Sequence, residues 1–156
     1  MDINEIRAPK RDDTQMVPQT IEGKEGLVVV DTTWGEIQPL QIGNDIRTVD
    51  EIEVHRFQEN GFPIIDARTA DFFDVSTIPG AENLPYDEIV HHLDQLNRDQ
   101  PTIFFCNGPQ CPQSRWAIQK LLDAGYPASG ILYYRGGMHN WVTMGLPLSN
   151  NQITKR

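Results

Sequence analysis

The stretch Thr102-Ile-Phe-Phe-Cys-Asn-Gly-Pro-Gln-Cys-Pro-Gln-Ser114 decides the fold of this chain. Its first four residues form an apolar run of the length expected for a buried strand. Residues 112–124 follow as a predicted helix that ends at Gly125, because glycine commonly terminates helices. The predicted inner face of this helix consists of Trp116, Ile118, Leu121 and Leu122. A buried strand that turns directly into a helix is typical of an α/β protein.

The same alternation of short strands and helices continues on both sides of this stretch. Strands are predicted at 27–31, more weakly at 36–42, and at 62–66 and 131–134. Helices are predicted from a capping box of Thr48 and Glu51 to Asn60-Gly61, and at 69–73, 86–96 and 136–141. This rhythm predicts an α/β domain with a mostly parallel central sheet flanked by helices.

Composition excludes several classes of partner. The 156 residues carry a formal net charge of −9, which repels phosphate backbones and anionic lipids, so we expect neither nucleic acid nor membrane as a partner. No apolar stretch approaches the roughly 18 residues needed to cross a bilayer. The charged start of the chain does not resemble a signal peptide, and we expect a cytoplasmic protein.

The two cysteines, Cys106 and Cys111, are the first candidates for chemistry. Cys106 is predicted at the end of a strand, facing the N-terminus of the next helix. Free amide N–H groups and the helix dipole at that point favour a thiolate, and they would also hold a persulfide. The alternative is that both cysteines are small buried apolar residues without chemistry.

The residues around Cys106 form the predicted active-site loop. Ser114 is expected either to donate a hydrogen bond to the sulfur or to cap the helix. Arg115 is the nearest cation, and it either orients an anionic donor or points into solvent. The loop itself comprises Asn107, Gly108, Pro109, Gln110, Pro112, Gln113 and Ser114.

Four motifs, in order, resemble those of the rhodanese family. They are Ile64-Ile-Asp-Ala-Arg68, Ile78-Pro-Gly-Ala-Glu-Asn-Leu-Pro85, the Cys106 segment, and Gly136-Gly-Met-His-Asn-Trp141 with Gly145-Leu-Pro147. The resemblance implies a rhodanese-like domain over residues 46–148. Residues 1–45 are then an N-terminal arm with one or two extra strands, and residues 149–156 a polar tail.

The resemblance also implies an activity. Cys106 stands where the family carries its catalytic cysteine, so we expect a rhodanese-type sulfurtransferase that forms a Cys106 persulfide. The donor is thiosulfate, a polysulfide or a protein persulfide, and the acceptor is a thiol or cyanide. No cofactor or metal is expected. Arg68 is a candidate for orienting substrate, although an ion pair with Asp71 that braces the sheet is the favoured role.

The loop departs from the usual family pattern. Family loops run six residues from the cysteine and contain arginines, whereas no basic residue here precedes Arg115. Either Pro112 is the first helical residue and the loop keeps its length, or the loop is enlarged. The segment resembles a subgroup with a Cys-x-Gly-Pro-x-Cys loop. The missing arginines argue against the thiosulfate dianion, and Cys111 is either a resolving cysteine or a residue without chemistry.

Two other functions fit the sequence less well. A cysteine phosphatase needs an arginine about six residues after the cysteine to bind phosphoryl oxygens, and position 112 is proline. A non-enzymatic rhodanese module that senses sulfur or redox state, or binds a partner, through Cys106 and Cys111 remains the main alternative.

Overall fold

The computed structural model describes residues 19–21, 23–29 and 37–149. The strands are β1 Gln19–Ile21, β2 Lys24–Val29, β3 Arg47–Thr48, β4 Ile64–Asp66, β5 Glu82–Asn83, β6 Thr102–Phe105 and β7 Ile131–Tyr133. The α-helices are α1 Glu51–Asn60, α2 Ala70–Val75, α3 Gln113–Asp123 and α4 Gly137–Thr143. Two 3-10 helices, Ile89–Gln95 and Ala128–Gly130, complete the architecture.

The central sheet confirms the predicted fold class. Its five strands lie in the order β3-β7-β6-β4-β5, and every neighbouring pair is parallel. Strands β1 and β2 form a separate antiparallel pair within the N-terminal segment. None of the helices in the part of the chain that the structure describes is long and apolar enough to span a membrane.

Strand β6 lies at the centre of the sheet and is buried along its whole length. Its side chains alternate between the two faces, as the pleat of a strand requires. Phe104 packs into the core cluster that also contains the inner face of α3. Ile103 and Phe105 pack into the opposite cluster, with α1 and α4. Helices therefore cover both faces of the sheet and form a three-layer core. The carboxyl end of β6 lies at one edge of this core.

Three predicted elements are wrong in detail. The described residues of the 36–42 segment form no strand, because the Gln38 backbone bonds to a loop carbonyl and an arginine instead of a neighbouring strand. Helix α1 is capped by Asp50 and not by Thr48: the Asp50 carboxylate accepts the N–H groups of Ile52 and Glu53 at 3.1 and 3.2 Å. The predicted helix at 86–96 is a 3-10 helix with non-helical angles at one residue, His92.

Trp116 was predicted to face the core, but it is 41% exposed. The buried face of α3 consists of Ser114, Ala117, Ile118 and Leu121, whose spacing follows the helical repeat. Trp116 lies beside that face and packs against Tyr86, with ring centroids 5.3 Å apart. The two-residue strands β3 and β5 were missed because such short segments carry no sequence period.

Candidate active site at Cys106

Cys106 follows the last residue of β6, at the carboxyl edge of the parallel sheet. This is the edge where functional groups gather in open α/β sheets. The residue is only 2% exposed, although it lies at the start of a loop. The predicted nucleophile is therefore at the expected place in the fold, but it is enclosed by its surroundings.

The loop ends where α3 begins, at Gln113. Pro112 is the N-cap, and its carbonyl accepts the first helical hydrogen bond, from the Trp116 N–H at 2.9 Å. Within the loop, the Cys111 N–H donates to the Gly108 carbonyl at 3.0 Å and closes a tight turn. Of the two alternatives for the loop, the structure has the enlarged one, since Pro112 precedes the helix.

The sulfur of Cys106 is in contact with the first turn of α3. The Ser114 N–H donates to Cys106 Sγ at 3.3 Å, and the Ser114 hydroxyl lies 3.1 Å from the same atom. As a thiol, Cys106 can also donate to the Cys111 carbonyl at 3.3 Å. Ser114 does not cap the helix with its side chain, so its hydroxyl is available to the sulfur.

Opposing effects set the pKa of Cys106. Burial raises it, because a buried thiolate loses its contact with water. Hydrogen bonds from the Cys111 thiol, from the Ser114 hydroxyl and N–H, and from the Gly108 N–H outweigh this cost. The pKa of Cys106 therefore lies below that of an ordinary thiol, and a larger share of it is thiolate at a given pH.

The pKa of Cys111 shifts in the opposite direction. Its burial raises its pKa, and the neighbouring Cys106 raises it further, through a hydrogen bond and through like charge. The two cysteines are free thiols and both are buried. In the hydrogen bond between the two side chains, Cys111 is thus the protonated donor and Cys106 the acceptor.

The N-terminus of helix α4 binds the backbone of the Cys106 loop. The Met138 and His139 N–H groups donate to the carbonyls of Cys106 and Asn107, at 3.0 and 2.7 Å. Gly137 makes this approach possible: it has a φ of +56°, and a Cβ there would lie 2.3 Å from the Cys106 carbonyl oxygen. The carbonyls are held by α4, while the sulfur faces the N–H and hydroxyl of Ser114.

Arg68 is buried beneath the loop and pairs with Asp66, not with Asp71. Its guanidinium donates to both Asp66 carboxylate oxygens at 2.7–3.1 Å and to Asn107 Oδ1 at 3.2 Å, and it also bonds to the Ser76 carbonyl. Asp71 instead accepts a hydrogen bond from Thr69, which lowers the pKa of its carboxyl group. The predicted Arg68–Asp71 pair is therefore wrong: the carboxylate beside the guanidinium is that of Asp66, two residues away at the end of β4.

Arg115 is half-buried and binds a residue from far away in the sequence. Its Nε donates to Gln38 Oε1 at 2.6 Å, so it neither points freely into solvent nor lies inside the loop. Gln38 is buried, and its N–H donates to the carbonyl of Pro109 at 2.7 Å. Sequence reasoning missed Gln38, and also Arg135, which binds the Gln38 carbonyl through Nε and Nη2 at 3.1 and 2.9 Å.

Several polar atoms near the loop have no hydrogen-bond partner among the described residues. They include Asn107 Nδ2, Gln113 Oε1 and the hydroxyl of Tyr133. Burial raises the pKa of Tyr133, and the negative charge of a Cys106 thiolate raises it further, so this hydroxyl stays protonated beside the two cysteines. Gln110 is half-buried in the turn. Within the same described ranges, no group of three His, Cys, Asp or Glu side chains is arranged to hold a metal ion.

The sequence profile of the family described as Rhodanese-like domain matches residues 48–144, more than half of the chain. The chain belongs to the rhodanese-like domain family. The resemblance read from the four motifs is thereby confirmed at the level of the family. The profile spans β3 to the end of α4, and the Cys106 loop lies inside it.

The proteins that this chain resembles differ in how much of their own length it covers. A thiosulfate sulfurtransferase from Pseudomonas aeruginosa superposes with a TM-score of 0.57 at 27% identity, over 69% of this chain and 21% of that one. A protein from Bacillus halodurans superposes with a TM-score of 0.61 at 20% identity, over 68% and 78%, and shows the fold alone. An HTH-type transcriptional regulator of Mycobacterium tuberculosis is 28% identical over 108 residues, 69% of this chain and 46% of that protein.

This chain thus spans less than half of the length of the curated relatives it matches, 46% of one and 26% of another. Family membership and the sulfurtransferase among its structural neighbours make it a domain related to sulfur transfer.

Proposed function

We propose that this rhodanese-like domain is a sulfurtransferase that carries sulfane sulfur as a persulfide on Cys106. The observation that supports it most directly is the hydrogen bonding of Cys106 Sγ by the N–H and hydroxyl of Ser114, at 3.3 and 3.1 Å. These donors lower the pKa of Cys106 despite its burial, and the thiolate is the nucleophilic form of cysteine.

The reaction follows from that arrangement. The Cys106 thiolate attacks the sulfane sulfur of the donor and forms a new S–S bond with it. The bond between that sulfur and the rest of the donor breaks, and the rest of the donor leaves with the electron pair. With thiosulfate, the products are the Cys106 persulfide anion and sulfite. A thiol or cyanide acceptor then attacks the outer sulfur, and the electron pair of the S–S bond returns to Cys106. The donors that bind the thiolate would also stabilise each anionic sulfur in turn.

Mass spectrometry of the intact protein tests this proposal. After exposure to polysulfide or thiosulfate, we expect a mass increase of one sulfur atom that maps to Cys106 and disappears on addition of cyanide, with formation of thiocyanate. Cys106→Ser should abolish both, and Cys111→Ser should keep the adduct. If Cys106 acquires no sulfur from either donor, the enzymatic function is wrong.

A redox or sulfur sensor is the second candidate, favoured by the adjoining buried thiols and by the transcriptional regulator among the relatives. In this function, the Cys111 thiol attacks the Cys106 persulfide. A Cys106–Cys111 disulfide forms, sulfide leaves with the proton of Cys111, and no external oxidant is needed. The raised pKa of Cys111 opposes this step, because the attacking thiol must lose its proton. A disulfide found after polysulfide exposure, without thiocyanate formation from cyanide, would favour the sensor.

A further inference from the structure

The hydroxyl of Tyr133 is a buried polar group without a hydrogen-bond partner among the described residues. Its side chain is fully buried, so bulk solvent does not reach the hydroxyl. The other two buried tyrosines do bond: Tyr126 donates to a main-chain carbonyl at 3.4 Å, and Tyr134 donates to Glu51 Oε1 at 2.8 Å. A buried hydroxyl without a partner costs free energy, and a role in the chemistry is one reason why a fold retains it.

The place of Tyr133 in the sheet directs its side chain towards the first turn of α3. Tyr133 is the last residue of β7 and pairs with Phe104 of the neighbouring strand β6. Both side chains belong to the core cluster that also contains the inner face of α3. The first turn of α3 lies at this same edge of the sheet, since Ser114 contacts the Cys106 sulfur just beyond the end of β6. The Tyr133 ring therefore lies beneath the turn that binds the sulfur.

The groups that act on the Tyr133 hydroxyl are those of the cysteine site. Ser114 lowers the pKa of Tyr133 as a hydrogen-bonding neighbour, although the two hydroxyls do not form a bond of ordinary geometry. The titratable and charged groups that face the hydroxyl are Cys106 at the end of β6, Cys111 in the loop and Arg135 after β7. Tyr133 thus stands next to Ser114 as a protonated donor that is not yet used.

Loss of the Cys106 proton changes what the Ser114 hydroxyl can do. Beside a thiol, either the sulfur or the Ser114 oxygen, 3.1 Å apart, can be the donor. A thiolate can only accept, so Ser114 must then donate to it, and the lone pairs of the Ser114 oxygen become available as acceptors. Tyr133 is the neighbouring donor that can use one of them. Hydrogen bonds in such a chain polarise and strengthen one another.

We propose that Tyr133 is a positioning residue for the sulfur-transfer cysteine: its hydroxyl donates to the Ser114 oxygen when the Ser114 hydroxyl donates to the Cys106 thiolate. The chain of two hydrogen bonds fixes the direction of the Ser114 hydroxyl and strengthens its bond to the sulfur anion. Tyr133 gains its partner only in the thiolate state, which accounts for the unpaired hydroxyl beside a thiol. The proposal rests on the proposed sulfur-transfer function and concerns how the same site holds its nucleophile.

Tyr133→Phe tests this role, because it removes the hydroxyl and keeps the buried ring. The midpoint of Cys106 ionisation, followed by thiolate absorbance at pH values below those at which tyrosines ionise, should rise by roughly 0.5–1 pH unit. Tyr134→Phe is the matched control, since it removes a buried hydroxyl from the adjacent residue, which lies in the opposite core cluster and bonds to Glu51. Its midpoint should equal that of wild type. An unchanged midpoint for Tyr133→Phe, or an equal rise for Tyr134→Phe, contradicts the proposal.

The double variant Ser114→Ala with Tyr133→Phe tests whether Tyr133 acts through Ser114. Ser114→Ala removes the oxygen to which Tyr133 would donate, so adding Tyr133→Phe should not raise the midpoint further. An equal rise from Tyr133→Phe with and without Ser114 would show that the two hydroxyls act independently, and the proposed chain would be wrong.

Unfolding in urea separates positioning of the sulfur from support of the core. At a pH where Cys106 is a thiol, Tyr133→Phe loses an unpaired hydroxyl and should unfold at the same urea concentration as wild type or a higher one. Tyr134→Phe loses its bond to Glu51 and should unfold at a lower concentration. If Tyr133→Phe also unfolds at a lower concentration than wild type, its hydroxyl supports the core and the proposal is wrong.

These measurements need no sulfur donor, so they are independent of the proposed function. If the midpoint rises as expected but Cys106 of the wild type acquires no sulfur, the role of Tyr133 stands and the enzymatic function is wrong. If the persulfide forms but the midpoint of Tyr133→Phe is that of wild type, the role of Tyr133 alone is wrong.

Discussion

The pKa of Cys106 depends on the hydrogen-bond donors around its sulfur atom. Ser114→Ala removes the hydroxyl 3.1 Å from Cys106 Sγ, and we expect the pKa of Cys106 to rise. The thiolate of the wild type persists until the pH falls below its lowered pKa, so in the variant it should disappear at a higher pH. Ultraviolet absorbance of the thiolate during a pH titration measures the midpoint. Ser129→Ala, at an exposed position, is the control; an unchanged midpoint for Ser114→Ala would contradict the role of the hydroxyl.

Cys111 has two separable roles, hydrogen-bond donor and resolving thiol. Cys111→Ala removes the donor and should raise the pKa of Cys106, whereas Cys111→Ser keeps a donor and should leave the thiolate in place. A resolving thiol requires sulfur, so both variants should then fail to release sulfide from the Cys106 persulfide. Sulfide release that is equal in wild type and Cys111→Ser would leave Cys111 with the donor role alone.

At the scale of elements, the geometry of the loop depends on how closely α4 approaches it. Gly137→Ala should be destabilising for two reasons: the left-handed backbone costs about 1–2 kcal/mol, and the new Cβ clashes with the Cys106 carbonyl. Gly145→Ala is the matched control, since its φ is +75° and no atom lies within 4 Å of its Cβ position. We expect Gly137→Ala to lose about 1–3 kcal/mol more free energy of unfolding than Gly145→Ala in urea denaturation. Equal losses would show that the loop accommodates the methyl group.

At the scale of the whole molecule, the buried Arg68–Asp66 pair connects distant segments. Asp66 ends β4 and also accepts from Thr77, while Arg68 reaches the Cys106 loop through Asn107. Arg68→Met leaves a buried carboxylate without its cation and should cost about 3–5 kcal/mol in the free energy of unfolding.

Arg56→Met provides the comparison for that measurement. Its ion pair with Glu53 is largely exposed on the arginine side, so its loss should cost less than about 1 kcal/mol. Urea denaturation of both variants measures the difference. Similar costs for the two substitutions would show that the buried pair does not hold the sheet and loop together.

Local signals in the sequence were sufficient to predict strand β6 and the end of helix α3. The apolar run Thr102–Phe105 formed β6, and the glycine at 125 followed the end of α3, as predicted. Such features depend on the preferences and burial of neighbouring residues, and these can be read along the chain. The cap of α1 was misassigned because Thr48 and Asp50 are both favourable capping residues, and the short strand β3 uses Thr48.

Partners that are far apart in sequence could not be read in this way. The arginine that follows Ser114 was noticed, but its partner Gln38 lies 77 positions away, and Arg135 lies 97 positions from the same glutamine. No local pattern specifies such contacts, since they depend on which segments the sheet order brings together. The missing loop arginines argued against the thiosulfate dianion as donor, whereas the folded chain brings two guanidinium groups to Gln38, whose N–H binds the loop carbonyl of Pro109.

The sequence by itself determined the α/β class, the family and the place of Cys106 at the end of a buried strand. These follow from residue types and spacings that act over a few positions of the chain. Only the tertiary structure decided that Arg68 pairs with Asp66, that Cys111 faces Cys106 as a protonated donor, and that Gln38 lies between Arg115 and Arg135. Each of these depends on distances across the fold, because hydrogen bonds and ion pairs act only between groups that packing has already brought together.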